Sequence, residues 1–336
     1  MFIVGIVASS RNIKPTSFIA VGYSGSPWIN VYNFSAGFGT KYTDPTTLSG
    51  GAVWQISFNP TSTLIAYAVS GTSPYQYVYP WSASGFGTKY ANPATMLSSI
   101  ATGATWSPSG NDVAFSGTIS PAIMVYPWSS GFGTKYADPA TLPPGVSGAI
   151  TFNPAGTVIA MSAGSTIYAY PWSAGFGTKY ADPSTLPTGT TDGVAFNNTG
   201  NTIAVAHVTS PFVSVYPWSA GFGTKYADAA TLVASQGTAV TFNPQGTVIA
   251  IANAGAFPAS NAYAWSAGFG TRYADPSVAV ANSSGAVAFN QSGTAIAYAH
   301  QITPFISVYP WGAGYGTKYA DAATMITGTG RGVTFG

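Results

Sequence analysis

Apolar residues along this chain come in bursts of a few positions, many alternating with small or polar residues and separated by clusters of Gly, Pro, Asn and Ser. Alternation over such lengths is the period-two signal of strands with one face toward a core. The stretch from Gly148 to Tyr180 shows four in succession: Gly148-Ala149-Ile150-Thr151-Phe152, Val158-Ile159-Ala160-Met161, Ile167-Tyr168-Ala169-Tyr170 and Gly177-Thr178-Lys179-Tyr180. Between the first two, Asn153-Pro154-Ala155-Gly156 puts Asn, Pro and Gly where a type I turn prefers them, as does Asn243-Pro244-Gln245-Gly246, so the first two strands form a hairpin. No window holds apolar residues at three- and four-residue spacing, and Gly, Pro and β-branched residues interrupt every stretch long enough for a helix. The pattern is all-β.

The four-strand unit recurs. Gly-Phe/Tyr-Gly-Thr-Lys/Arg-Tyr begins at Gly37, Gly85, Gly131, Gly175, Gly221, Gly268 and Gly314, at spacings of 48, 46, 44, 46, 47 and 46 residues. Seven four-stranded units predict a seven-bladed β-propeller. The last segment, Gly332-Val333-Thr334-Phe335, copies a first strand with nothing after it. Phe18-Ile19-Ala20-Val21, Trp28-Ile29-Asn30-Val31-Tyr32 and Gly39-Thr40-Lys41-Tyr42 copy a second, third and fourth. Residues 332–336 are therefore expected to close the ring by pairing with the N-terminal strands, which removes two exposed sheet edges. Residues 1–336 form a single domain on this reading, with 1–12 an extra strand or an extended arm.

Charge narrows the functional classes. Ten Lys plus Arg stand against eight Asp and no Glu, a net charge of +2, too few and too dispersed to neutralise nucleic-acid phosphates. Cysteine is absent, which excludes disulfides and thiolate metal sites. The run Phe2-Ile3-Val4-Gly5-Ile6-Val7-Ala8 lacks a basic flank and is too short to span a bilayer, so it reads as a strand, with no membrane insertion expected.

Phe-Asn-Pro-x-Gly-x-x-Ile-Ala, at Phe152–Ala160 and Phe242–Ala250, resembles the Phe-Ser-Pro-Asp-Gly-x-x-Leu-Ala signature of WD-repeat propellers. Val-Tyr-Pro-Trp at Val125–Trp128, Val215–Trp218 and Val308–Trp311 stands where that family has Trp-Asp. The resemblance implies the fold; Pro-Trp-Ser replaces Trp-Asp and no Gly-His dipeptide opens the repeats, so the family's buried polar network is not implied. Gly-Phe-Gly-Thr-Lys-Tyr-Ala-Asp-Pro-Ala-Thr-Leu also resembles repeats of tailed-phage structural proteins.

Thirteen of the eighteen charges occupy two repeat positions: Lys41, Lys89, Lys135, Lys179, Lys225, Arg272 and Lys318, then Asp44, Asp138, Asp182, Asp228, Asp275 and Asp321 three residues on. They fit an outermost strand, where Lys discourages edge pairing. Arg11, Lys14, Asp112, Asp192 and Arg331 remain, which supplies no carboxylate pair for glycoside hydrolysis. His207 and His300 end matching second strands with one blade between them, without further metal ligands nearby in the pattern. The Trp at 81, 128, 172, 218, 265 and 311 reads as a wedge between blades, with the repeated Phe of Gly-Phe-Gly filling the next gap.

The expectation is therefore a non-enzymatic structural and interaction protein without metal or cofactor, on the exterior of a tailed-phage virion and docked to other virion subunits. The alternative is a lectin-like module that binds cell-surface glycan. Loops after first and third strands are nearly uniform, whereas those after second and fourth strands vary. An irregular partner can be read only by blades that differ, so partner contact is assigned to the variable face, near Trp28, Tyr75, His207, Phe212, His300 and Phe305.

Overall fold

The computed structural model describes residues 17–145, 147–255, 257–280 and 282–336. Among these residues 24 strands, numbered β1 to β24 in chain order, form seven antiparallel sheets without a helix. No helix among them is long and apolar enough to cross a membrane. Around the axis run the seven inner strands: β24 (Gly330–Phe335), β4 (Val53–Phe58), β8 (Ala101–Trp106), β11 (Ser147–Phe152), β14 (Thr191–Phe196), β17 (Gly237–Phe242) and β21 (Ser284–Phe289), each packed on the next. Their close approach needs small residues. A Cβ on Gly332 would stand 2.2 Å from the carbonyl oxygen of Trp54, and one on Gly193 would stand 2.8 Å from Cα of Ala239.

Closure follows the expected strand exchange. β1 (Ser17–Tyr23) pairs with β24 through Ile19↔Phe335, Ala20↔Thr334, Val21↔Val333 and Gly22↔Gly332, and with β2 (Ile29–Phe34) on its other side. The C-terminal strand is thus the inner strand of the N-terminal blade. The extra strand or arm expected for residues 1–12 lies outside the described residues.

Two repeated ties lock neighbouring blades. A third-strand Tyr donates its hydroxyl to a backbone carbonyl of the blade before, as Tyr170 does to Thr141 at 2.7 Å and Tyr216 to Thr185 at 2.8 Å. Tyr32 donates to Thr324 at 2.8 Å, so the same bond spans the closure. Two residues on from that Tyr, the wedge Trp packs edge-on against the last Tyr of the preceding repeat motif: Trp172 on Tyr136 at 5.1 Å, Trp218 on Tyr180 at 5.0 Å, with Phe34 on Tyr319 at 5.7 Å in the closing blade. Such pairs contribute about 0.5–1.5 kcal/mol beyond their buried area. The repeated Phe packs on the Trp of its own blade, Phe176 on Trp172 at 5.0 Å.

Outer strands depend on one residue. Where the third strand carries Pro before Trp, the fourth segment pairs little: after Pro127, Pro171, Pro217 and Pro310 it makes an isolated bridge, Trp172↔Phe176 and its equivalents, and after Pro80 only the two-residue strand β7 (Gly85–Phe86). Where that residue is Asn33 or Ala264, four-residue outer strands form, β3 (Phe38–Lys41) and β20 (Phe269–Arg272). Pro has no N–H to give the ladder, although its carbonyl still accepts, as from Gly177 N–H to Pro171 O at 2.9 Å. Six Lys/Arg–Asp pairs of the fourth segments bond within their own repeat, for example Lys179–Asp182 at 2.7 Å.

Candidate functional site in the central channel

Each inner strand breaks register with its neighbour near its first residues. The residues left out of the ladder are Arg331 in β24, Asp192 in β14, Thr102 in β8, Thr238 in β17 and Gly285 in β21, with Trp54-Gln55 in β4 and Gly148-Ala149 in β11. A bulge takes a residue out of the strand register and re-aims its side chain. Seven bulges at one level therefore ring the axis where the strands begin, on the side of the variable loops. They surround a cavity of about 620 Å³, whose lining includes Trp54, Gln55, Thr102, Asp192, Gln236 and Arg331. That volume suits a small-molecule ligand.

Chemistry is unevenly spread around this ring. Arg331 and Asp192 stand three blades apart, on opposite sides of the channel. The Arg331 guanidinium lies 4.7 Å from the centroid of the Trp54 ring, its Nε has no hydrogen-bond partner, and burial pushes its pKa down. The aromatic face holds this cation at the channel wall, with the Nε–H buried behind it. On the far side, Gln236 Nε2 donates to Asp192 Oδ2 at 3.0 Å. Burial raises the Asp192 pKa and the Gln236 bond opposes that shift. Gln55 crosses the inner strand of the next blade to bond Ile150, with Nε2 to the carbonyl at 3.1 Å and the Ile150 N–H to Oε1 at 3.3 Å. Gly103 lies beneath it, where a Cβ would come within 2.8 Å of Gln55 Oε1. At the channel's other end the Asn-Pro turns and inner-strand aromatics, among them Pro154, Phe152 and Phe242, line a smaller cavity of about 360 Å³.

The residues assigned from sequence are placed differently. Trp28, Tyr75, Phe212 and Phe305 occupy the loops between second and third strands on the same face, each half-buried against the core of a different blade junction. Trp28, Phe212 and Phe305 sit at φ of 75°, 71° and 67°, left-handed conformations that bulky residues rarely adopt. His207 and His300 are buried, with Nε2 3.0 Å from Ser214 Oγ and Ser307 Oγ respectively. Burial lowers both pKa values, that of His300 to about 4. The structure does not gather these six side chains into one pocket. Asp112 accepts from Tyr136 Oη at 2.9 Å and from Trp172 Nε1 at 3.2 Å, a tie between blades. Arg11 and Lys14 lie outside the described residues. Among the described residues no group of three His, Asp or Glu side chains is placed to hold a metal.

Asp192 and Arg331 stood out in the sequence only as charges without a repeat. Counting four residues back from the aromatic that ends each inner strand finds the ring directly: Trp54, Thr102, Gly148, Asp192, Thr238, Gly285 and Arg331.

No protein-family model and no curated protein matches this chain. Solved structures do. The periplasmic gluconolactonase of Pseudomonas aeruginosa superposes with a TM-score of 0.72 at 13% identity, covering 95% of this chain and 99% of its own. A Desulfotomaculum acetoxidans protein of unknown function gives 0.71 at 10% identity, over 95% and 98%. A Bacteroides uniformis protein described as a candidate 6-phosphogluconolactonase gives 0.67 at 12% identity, over 96% and 100%. At these identities the likeness establishes the fold. It also corrects the expectation of a non-enzymatic protein, whether virion subunit or lectin: propellers of this shape carry lactonase names, and the fold therefore does not argue against an enzyme. The expectation rested on finding no paired carboxylates in the sequence, and it did not weigh single charges that two distant strands bring to one channel.

Proposed function

We propose that this chain is a lactonase-type hydrolase acting at the channel mouth. The observation that carries this reading is the placement of Asp192 and Arg331, two charges outside the repeat, on opposite sides of one cavity. The enzyme names of its structural neighbours support it. Asp192, made more basic by burial and oriented by Gln236, takes a proton from water as the water oxygen bonds to the lactone carbonyl carbon. Arg331 then faces the carbonyl oxygen, on which negative charge develops. Collapse breaks the ring C–O bond, the proton passes from Asp192 to the departing alkoxide, and the product is an open hydroxy acid. The cycle consumes one water and leaves the protein unchanged.

The test is acid release from δ-gluconolactone and simple δ- and γ-lactones by purified protein, measured against buffer alone. Hydrolysis above the buffer rate is expected, with Asp192→Asn and Arg331→Gln each reducing kcat/KM by about 10²-fold or more. A wild-type rate equal to buffer rejects the activity. Full activity in both variants rejects this site.

A further inference from the structure

The eleven exposed large apolar side chains among the described residues all lie on the face at which the channel mouth opens. Five of them, Leu48, Leu142, Leu186, Leu232 and Met325, occupy a single repeat position in the loop after the fourth segment, each 42–46% exposed, and Val278, 55% exposed, stands one position earlier in its own copy, at the residue whose carbonyl takes the third-strand Tyr bond. The remaining two copies are Met96 and Ala279, so no blade puts a polar residue there. Trp54 stands at the channel, and Ile100, Ile119, Phe257 and Ile302 lie in other loops of the same face. None of the fourteen loops that build this face, those joining second to third strands and those after the Asp-Pro, Asp-Ala or Asn92-Pro93 of each repeat, contains Asp, Lys or Arg.

Pseudo-sevenfold symmetry sets the repeated side chains at one height and one radius, and equivalent apolar groups cannot distinguish one blade from another. They suit a partner with no irregular surface of its own. The loops carry no charge of their own, and the two charges at the channel mouth, Asp192 and Arg331, are of opposite sign, so this face has little net attraction for a charged partner and little electrostatic reason to avoid an uncharged one. Apolar side chains confined to one side of a soluble-looking fold mark an interaction surface. We propose that this face seats on a lipid surface with zwitterionic headgroups, its ring of Leu and Met reaching the boundary between headgroups and acyl chains while the strands stay outside the bilayer. The seating needs no lactone hydrolysis, so it stands or falls apart from the activity proposed above.

Flotation of the full chain with phosphatidylcholine vesicles tests it, in 0.1 M and 1 M NaCl. Binding is expected at both salt concentrations, because no ion pairing would be screened. Leu142→Ser, Leu186→Ser and Leu232→Ser combined should lower the partition coefficient at least tenfold. Should that protein fail to fold, Leu48→Ser with Met325→Ser on another arc of the ring is expected to weaken binding severalfold. The proposal is overturned if the wild type does not float, if binding is lost in 1 M NaCl, or if folded variants bind as tightly as wild type. Light scattering that finds a dimer abolished by the same substitutions, without vesicle binding, gives the face to a second copy of the chain and overturns it equally.

Discussion

Truncation after Arg331 removes the segment that makes this chain a closed ring. Val333 and Phe335 are buried, and Phe335 packs edge-on against Phe34 at 5.2 Å within the junction of the last and first blades. Losing their burial costs about 1.5–3 kcal/mol each. The deletion also removes the β1–β24 ladder and the reciprocal bonds between Phe18 and Gly336, at 3.2 and 3.0 Å. Taking about four net hydrogen bonds at ~1 kcal/mol each, the total is roughly 7–10 kcal/mol. That is comparable to the whole stability of an ordinary domain, about 5–15 kcal/mol. The truncated chain should therefore lose its cooperative thermal transition or aggregate through the bared edge of β1. Differential scanning calorimetry with size-exclusion chromatography reads both outcomes, and Phe335→Ala should give a graded loss of about 3–5 kcal/mol in urea unfolding. A truncated monomer melting within about 2 °C of wild type would refute the closure energetics.

Other expectations follow from single positions. Gly332→Ala drives a Cβ to 2.2 Å from Trp54 O and should unfold or strongly destabilise the ring, whereas Gly312→Ala meets nothing within 4 Å and should change the urea midpoint little; equal effects would reject the packing argument. Ala264→Pro should convert β20 into an isolated bridge like those of the Pro-bearing blades, seen as faster hydrogen exchange in 269–272; unchanged protection there would reject the proline account. Burial lowers the His300 pKa to about 4 from the ordinary 6.5 of imidazole, so between those values the unfolded chain binds more protons than the native one. Stability should accordingly be full above about pH 6.5 and fall as the pH drops toward 4, by up to about 3 kcal/mol. His207 acts in the same direction. Urea midpoints at pH 7.5 and 4.5 check this, and a His300→Asn protein that loses as much stability as wild type would refute it.

The ring, its seven units and the exchange of strands at closure were all legible in the sequence because each is a statement about repetition. Period-two bursts, the Asn-Pro-x-Gly turn and the unpaired last strand leave the same mark many times over. The outer strands were read too uniformly. Gly-Thr-Lys-Tyr recurs in every unit, yet whether it pairs as a strand is decided by its neighbour, by Pro171 in one blade and Ala264 in another. That rule was present in the sequence as the missing N–H of proline.

The channel was harder to read because repetition conceals it. Side chains that recur seven times must satisfy seven equivalent surroundings, and here they tie blades together: Tyr to carbonyl, Trp to Tyr, Lys to Asp. Chemistry directed at one small molecule needs the opposite, different groups at one equivalent position. The bulge position has that character, holding Trp, Thr, Gly, Asp, Thr, Gly and Arg in turn. Nothing in a strand's alternation announces a bulge, since the displaced residue can be of any type, and Asp192 and Arg331 are far apart along the chain. The variable loops drew attention instead because they also differ between copies, but their aromatics Trp28, Phe212 and Phe305 are half-buried against separate blade junctions. Variation between repeats carries most weight where the fold also turns the position toward shared space, and the register of the inner strands shows that Asp192 and Arg331 are placed in that way.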